Sequence, residues 1–187
     1  LAILNRSFVQ AAQTLLQNLS IHITEGPGDY SPDMKFLKKY PCIYKLYQES
    51  LDEHKSTTVT SRNLYPPRVE DLDSRLNLLH SYGWEESEFP QEWVHDFNSY
   101  LQGVTVMSSQ VKKILVENGV RIPISVCGLG IDHLEDLDID TNFTLQAKKY
   151  KFLHVSSCFP RKGIDILLKA YGEAFTSLDD VTLIIKT

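Results

Sequence analysis

Residues 103–127 read GVTVMSSQVKKILVENGVRIPISVC, a pattern that predicts a strand, a helix and a second strand in succession. The apolar, β-branched runs at 103–107 and 122–127 are typical of buried strands. Between them, Ser108 suits the helix N-cap and Asn118-Gly119 suits its C-terminal end. Strands that alternate with helices in this way predict an α/β fold built on a parallel sheet.

The same alternation continues toward the N-terminus. Strands are predicted over 57–61 and 76–80, with a helix over 90–101 between the second of these and the stretch at 103. Ahead of them the pattern predicts a helix ending near residue 19, a short strand over 20–24 and two short helices, over 34–37 and 43–51. The prediction for the first unit is therefore a Rossmann-like, doubly wound parallel sheet.

A second unit is predicted after an acidic linker. Residues 152–155 and 181–185 are apolar strand candidates, and the residues between 164 and 175 have helical spacing, which together make one βαβ unit. The predicted organisation is a first domain at 1–133, a linker at 134–149 and a second domain at 150–187. We expect the first domain to lack its first strand and the second to be cut short.

Composition excludes several classes of protein. With 42% hydrophobic residues in 187, the chain can bury a core, and its formal net charge of −5 lacks the basic field that nucleic-acid binding needs. Three cysteines without a C-x-x-C motif argue against a disulfide or zinc framework. This cysteine usage, with no secretory signal, predicts a cytoplasmic protein.

In an open α/β sheet, ligands bind beyond the carboxyl ends of the strands. The loop at 156–163 follows a predicted strand and places Ser157, Arg161, Lys162 and Gly163 before a helix. Cations at a helix start oppose the helix dipole, and a bound phosphate would remove that mismatch. The alternative is a solvent-exposed loop without a ligand.

A second candidate site follows the strand at 76–80. His80 ends that strand, and Trp84, Glu85 and Glu86 follow in the next loop. An aromatic face beside a histidine and carboxylates suits sugar stacking or general-base chemistry. The alternative is a packed Trp84 with glutamates that open the following helix.

Three weaker candidates remain. Arg62 and Asn63 form a cleft pair or a local turn, and Gly130 and Asp132 lie in a glycine-containing loop that is either a ligand contact or a turn leaving the sheet. The D-x-D repeat at 136–140 could chelate a divalent cation, but we expect a solvated acidic linker.

Two runs of sequence resemble one known family, the group-1 glycosyltransferases of family 4. The end of that family's N-terminal domain is similar to residues 104–108, 111–115, 118–120, 123–126 and 130–132. The opening of its donor domain is similar to residues 152–155, 160–165, 167–168, 170–171 and 181–185. Residues 1–102 resemble the family more loosely.

The resemblance implies a GT-B architecture of two Rossmann-like domains, with no metal or other cofactor. It implies that Lys162 contacts the donor diphosphate. Where the family commonly has an arginine five residues earlier, this chain has Ser157, and Arg161 could supply the missing charge. The family's polar position at a strand end of the first domain, often a histidine near the donor sugar, corresponds to His80 or Glu85, and this implies a catalytic role there.

The implied function is a retaining transfer of sugar from a nucleotide-sugar donor to a glycan or lipid-linked acceptor. No nucleic-acid partner is expected, and peripheral association with a membrane stays open. We expect the glycine-rich loop and the E-x7-E element of the family to lie outside the 187 residues, and the fragment to be inactive. Two alternatives remain: a nucleotide-sugar epimerase of the same fold, and a non-catalytic sugar- or partner-binding module.

Overall fold

A computed structural model describes residues 2–16, 18–22, 33–51, 57–135 and 137–187, without the side chains of Ala2 and Asp132. Of the predicted strand at 20–24, residues 23 and 24 lie outside this described part, and residues 20–22 are not in a strand. The chain divides into two compact units, residues 1–137 and 138–187, which are described separately below.

The first unit alternates strands and helices much as its sequence pattern predicts. Its elements are α1 (Ala2–Leu15), α2 (Met34–Lys39), α3 (Pro41–Glu49), β1 (Val59–Arg62), β2 (Leu76–Tyr82), α4 (Gln91–Tyr100), β3 (Gly103–Val106), α5 (Ser109–Glu117) and β4 (Ile124–Val126). Ser108 caps α5 as predicted, its side chain accepting a hydrogen bond from the Val111 amide at 3.2 Å.

The four strands form one parallel sheet in the order β1-β2-β3-β4. Helices α4 and α5 join β2 to β3 and β3 to β4, whereas the described connection between β1 and β2, at 63–75, contains no helix. Pro66 and Pro67 in that connection remove backbone donors, which disfavours a helix. The predicted α/β class with a parallel sheet is confirmed, and the arrangement is consistent with a Rossmann-like fold.

The core of the first unit lies between the sheet and helices α4 and α5. Phe97 on α4 is fully buried, and its ring packs edge-on against Tyr82 and Phe89, with centroids 5.3 and 5.4 Å away. The buried cluster comprises Val69, Leu72, Leu79, Tyr82, Phe89, Val94, Phe97, Leu101, Val104, Val106, Val111, Ile114, Leu115 and Val120. It fixes the positions of the strand ends on which the candidate site depends.

Strand β2 carries a β-bulge just before its carboxyl end. Leu79 pairs with Val104 but Tyr82 pairs with Val106, so three steps along β2 match two along β3. Ser81 lies in the left-handed region at φ 51°, and its amide donates to the Thr105 hydroxyl at 2.8 Å. The extra residue lets both Leu79 and Tyr82 join the buried cluster, while His80 contacts α1.

The second unit is one βαβ unit made of β5 (Tyr150–Val155), α6 (Ile164–Ala174) and β6 (Val181–Lys186). Its two strands are parallel and pair in continuous register. Phe152 packs against Tyr171 and Phe175 of the helix segment, with centroids 6.3 and 5.7 Å apart. Among the described residues, no helix in either unit is long and apolar enough to cross a membrane.

Candidate functional site

The carboxyl edge of the first sheet brings together residues that are distant in sequence. His80 is 7% exposed and stacks on Phe8 of α1, with ring centroids 4.0 Å apart and an interplanar angle of 10°. Its Nδ1 lies 2.9 Å from the Ser61 hydroxyl of β1, and its Nε2 lies 3.1 Å from Oδ1 of Asn5. The imidazole thus joins α1, β1 and β2.

The partners of His80 determine its tautomer. Nδ2 of Asn5 donates to the carbonyl of Asn63 at 3.2 Å, which leaves Oδ1 of Asn5 as the acceptor facing the imidazole. Nε2 of His80 therefore carries the proton, and Nδ1 accepts from the Ser61 hydroxyl. Burial lowers the pKa of His80 from 6.5 to about 4, so the ring is neutral at pH 7.

This buried histidine predicts a loss of stability in acid. Between pH 6.5 and pH 4 the unfolded chain binds a proton that the folded His80 does not, so stability falls as pH falls, by ~1.4 kcal/mol per pH unit. We expect urea unfolding of the first unit at pH 5 to give a free energy about 2 kcal/mol below that at pH 7. In the His80→Gln variant, the free energy of unfolding should fall much less between pH 7 and pH 5. An equal loss in both proteins would contradict this assignment.

His80 is predicted to be catalytic, but both nitrogens of its ring are hydrogen-bonded within the protein. Proton transfer to a substrate would require one of these contacts to open. The other residue predicted to be catalytic, Glu85, is exposed in the loop after β2. The role of either residue in a reaction stays a prediction.

Arg62 and Asn63 lie at the end of β1 and make different contacts. Arg62 forms a bidentate pair with Asp71, at 2.6 and 3.0 Å, and this hydrogen bonding lowers the pKa of the Asp71 carboxyl. Nδ2 of Asn63 donates to the carbonyls of His80 and Ser81, at 2.7 and 3.2 Å. Asn63 therefore ties the end of β1 to the bulge in β2.

The loop after β2 holds Trp84 in an aromatic cluster. The indole of Trp84 donates to the carbonyl of Glu88 at 2.8 Å, and its ring packs edge-on against Phe89 and Trp93, at 5.2 and 5.6 Å. Trp84 is therefore packed within the protein, as expected from the alternative to a sugar-stacking role. The glutamates do not open the following helix as that alternative expects, because α4 begins at Gln91 and its first-turn carboxylate is Glu92.

The weaker candidates lie on exposed backbone. Gly130 is exposed, and Asp132 begins a short 3₁₀ turn, Asp132–Leu134, though its side chain is outside the described part. In the D-x-D repeat, Asp136 is also outside it, while Asp138 and Asp140 are exposed. Among the described residues, no three histidine, cysteine or carboxylate side chains cluster in a way that could hold a metal ion.

In the second unit, the loop between β5 and α6 runs from Ser156 to Gly163. Its geometry depends on Ser156, whose hydroxyl lies 2.7 Å from Nε2 of His154 and accepts from the Cys158 amide at 3.1 Å. Cys158 itself has φ 51°, a conformation that non-glycine residues rarely adopt. The hydroxyl thus holds the loop in a tight bend directly after the strand.

The end of this loop forms the start of α6. A 3₁₀ turn, Pro160–Lys162, leads into Gly163, which adopts φ 66° and is the N-cap of α6. No side chain caps this helix, and a Cβ placed on Gly163 would meet no described atom within 4 Å. Helix α6 therefore begins without a side-chain cap, with Arg161 and Lys162 directly before it and Asp165 in its first turn.

Such a start can bind an anion. The first N–H groups of a helix have no partner within it, and the helix dipole favours negative charge at that end. An anion there would accept hydrogen bonds from the backbone and be attracted to Lys162 and Arg161. Ser157, the remaining predicted residue, is exposed in the same loop.

Sequence reasoning missed the residues that organise each site. Asn5, Phe8 and Ser61 surround His80, but nothing in their local pattern connects a first helix with a strand some fifty residues later. The left-handed Cys158 has no sequence signal either, since glycine is the usual residue in that conformation. No family model, curated protein or solved structure matches the chain.

Proposed function

We propose that the protein is a retaining glycosyltransferase of the GT-B type that moves a sugar from a nucleotide-sugar donor to a glycan or lipid-linked acceptor. The observation that carries the proposal is the start of α6, where Arg161 and Lys162 precede a helix that no side chain caps. The resemblance to the group-1 glycosyltransferases supplies the reaction class.

The donor diphosphate is proposed to bind at this helix start. Gly163 lets the phosphate oxygens approach the backbone closely, because it has no Cβ and occupies the left-handed region. Lys162 adds a charge-assisted contact, which is stronger than a neutral hydrogen bond. Arg161 supplies a second cation in the loop where the family commonly has one at the position of Ser157.

In the proposed reaction, the bond between the anomeric carbon and the diphosphate oxygen breaks while the acceptor hydroxyl forms a new bond to that carbon. Negative charge develops on the departing diphosphate, and Lys162 with the amides of α6 stabilises it. As the new bond forms, the acceptor hydroxyl passes its proton to the departing diphosphate oxygen, on which the negative charge develops. The new bond forms on the face that the diphosphate leaves, so the anomeric configuration is retained.

The first unit is proposed to hold the acceptor. In parallel α/β sheets ligands bind beyond the carboxyl ends of the strands, and His80, Asn63 and the Trp84 loop all lie at that end. Glu85 and Glu86 are exposed there, and the proposal assigns Glu85 a catalytic role and Glu86 an acceptor contact.

The test is incubation of the full-length protein with a panel of nucleotide-sugars, with and without glycan acceptors. We expect release of nucleoside diphosphate together with a glycoside of retained configuration, detected by mass spectrometry and by the NMR coupling of the anomeric proton. Interconversion of sugars without an acceptor would favour the epimerase instead. Absence of nucleotide-sugar binding would favour a non-catalytic module.

A further inference from the structure

A cavity of about 360 Å³ lies in the first unit, between the connection from β1 to β2 and the start of α4. Its volume is at the lower end of the roughly 300–1,000 Å³ that small-molecule sites span. Arg62 and Asp71 line one side, and Glu92, Trp93 and Asp96 of α4 line the other. The cavity is large enough for one sugar ring.

An aromatic ring forms part of its wall and is held rigidly. Trp93 is half-buried and packs edge-on against Tyr65 and Trp84, with centroids 6.0 and 5.6 Å away. Phe89 contacts the same ring at 5.8 Å. A fixed indole offers apolar surface to the C–H groups of a sugar and loses little side-chain entropy on binding.

The polar wall opposite is also fixed in place. The side chain of Arg62 is only 9% exposed, and its guanidinium holds both oxygens of Asp71 and the carbonyl of Arg68. The Asp71 side chain is 66% exposed, and its pKa is lowered chiefly by the hydrogen bond from Arg62. The Asp71 carboxylate is therefore charged, held in position by Arg62, and exposed enough to accept hydrogen bonds from a ligand.

The remaining charges select among ligands. Glu92 and Asp96 are four residues apart on α4, so two like charges border the same cavity, an arrangement that disfavours the helix by itself. Glu70 adds a further carboxylate. The cavity is therefore lined by four carboxylates but only two guanidinium groups, those of Arg62 and Arg68. Anionic ligands are repelled, whereas neighbouring hydroxyl groups can donate to carboxylates and accept from guanidinium.

We infer that this cavity binds an uncharged sugar unit. The sugar ring lies against Trp93, and its hydroxyl groups donate hydrogen bonds to the carboxylates of Asp96 and Asp71. The combination of a rigid aromatic wall with hydrogen-bonding groups of both signs fits a neutral polyol better than an ion. The inference deepens the acceptor part of the proposed function and rests on it for the sugar's role in the reaction. Binding here needs neither the α6 loop nor a nucleotide, so its failure is distinguishable from a failure of the proposed donor site.

The test follows the tryptophan indole N–H signals by ¹H–¹⁵N NMR as methyl glycosides of glucose, galactose and mannose are added. The chain has two tryptophans, and the Trp84 indole, bonded to the Glu88 carbonyl, serves as the internal reference. We expect at least one neutral glycoside to shift the Trp93 signal saturably and by more than the Trp84 signal. Glucuronate should bind at least about tenfold more weakly, because the carboxylates repel it.

Two variants complete the experiment. Asp96→Asn is expected to weaken the glycoside by about tenfold, since it removes a charged acceptor from the cavity. Asp73→Asn, an exposed carboxylate of the same unit that does not line the cavity, should leave binding unchanged. Ethylammonium, added separately, tests whether the carboxylates simply attract a cation. The inference is overturned if no glycoside gives a saturable shift at Trp93, if ethylammonium gives one and no glycoside does, or if Asp96→Asn binds the glycoside like the unmodified protein.

Discussion

Replacing Lys162 with alanine is expected to weaken the binding of nucleoside diphosphates to the full-length protein by about 10- to 100-fold. A hydrogen bond to a charged group contributes ~1.5–3 kcal/mol, and each ~1.4 kcal/mol is tenfold in affinity. The loss should be larger for a nucleoside diphosphate than for the corresponding monophosphate, because the proposed contact is to the diphosphate. Isothermal titration with uridine, adenosine and guanosine nucleotides measures the difference.

The matched control is Lys169→Ala. Lys169 lies on α6, its side chain is 78% exposed, and its nearest ion-pair partner is Glu173 one turn away at 4.0 Å. The substitution removes the same charge from the same helix but far from its start, so affinity should change less than about twofold. Equal losses in both variants would show that Lys162 acts only through the overall charge of the unit.

The second large effect concerns the stability of the first unit. Phe97→Ala is expected to lower its free energy of unfolding by about 3–5 kcal/mol, because it removes a fully buried aromatic side chain and leaves a cavity. The lost ring also packs against Tyr82 and Phe89, next to the carboxyl end of β2. Urea unfolding followed by tryptophan fluorescence measures the change, since both tryptophans belong to this unit.

Ser99→Ala on the same helix serves as the control for Phe97→Ala. Ser99 is exposed, so its replacement should change the free energy of unfolding by less than about 0.5 kcal/mol. A loss below about 1 kcal/mol for Phe97→Ala would contradict the position of this ring at the centre of the core.

Local pattern was enough to predict most of the elements. The strands at 103 and 181 and the helices after Ser108 and Gly163 were predicted within a few residues, because apolar spacing and capping residues act over single turns. Predicted ends shifted where a local constraint intervened. Strand β4 begins only at Ile124, after Pro123, which has no N–H to donate to a ladder.

The bulge in β2 could not be predicted, because it depends on contacts between strands. Ser81 holds a left-handed conformation while its amide bonds to Thr105 of β3, and no residue near Ser81 signals that partner. The pairing of Arg62 with Asp71, which fixes one wall of the cavity, could not be predicted from the sequence for the same reason. In each case the deciding contact lies on another element or across a loop.

The candidate phosphate loop was predictable in kind but not in shape. Arg161, Lys162 and Gly163 stand out in the sequence as two cations and a glycine before a helix. The contacts of the Ser156 hydroxyl set the bend of the loop, and they have no signal in the sequence: it pairs with Nε2 of His154 and accepts a hydrogen bond from the Cys158 amide. Prediction from sequence therefore identified the cations and the glycine of the loop, while the loop's conformation had to come from the structure.

A crystal structure of the full-length protein with a bound nucleoside diphosphate tests the central claim most directly. We predict phosphate oxygens within hydrogen-bonding distance of the Lys162 ammonium and of the backbone N–H groups at 164–166 in the first turn of α6. A diphosphate bound away from the α6 start, with Lys162 turned into solvent, would contradict the proposed donor site.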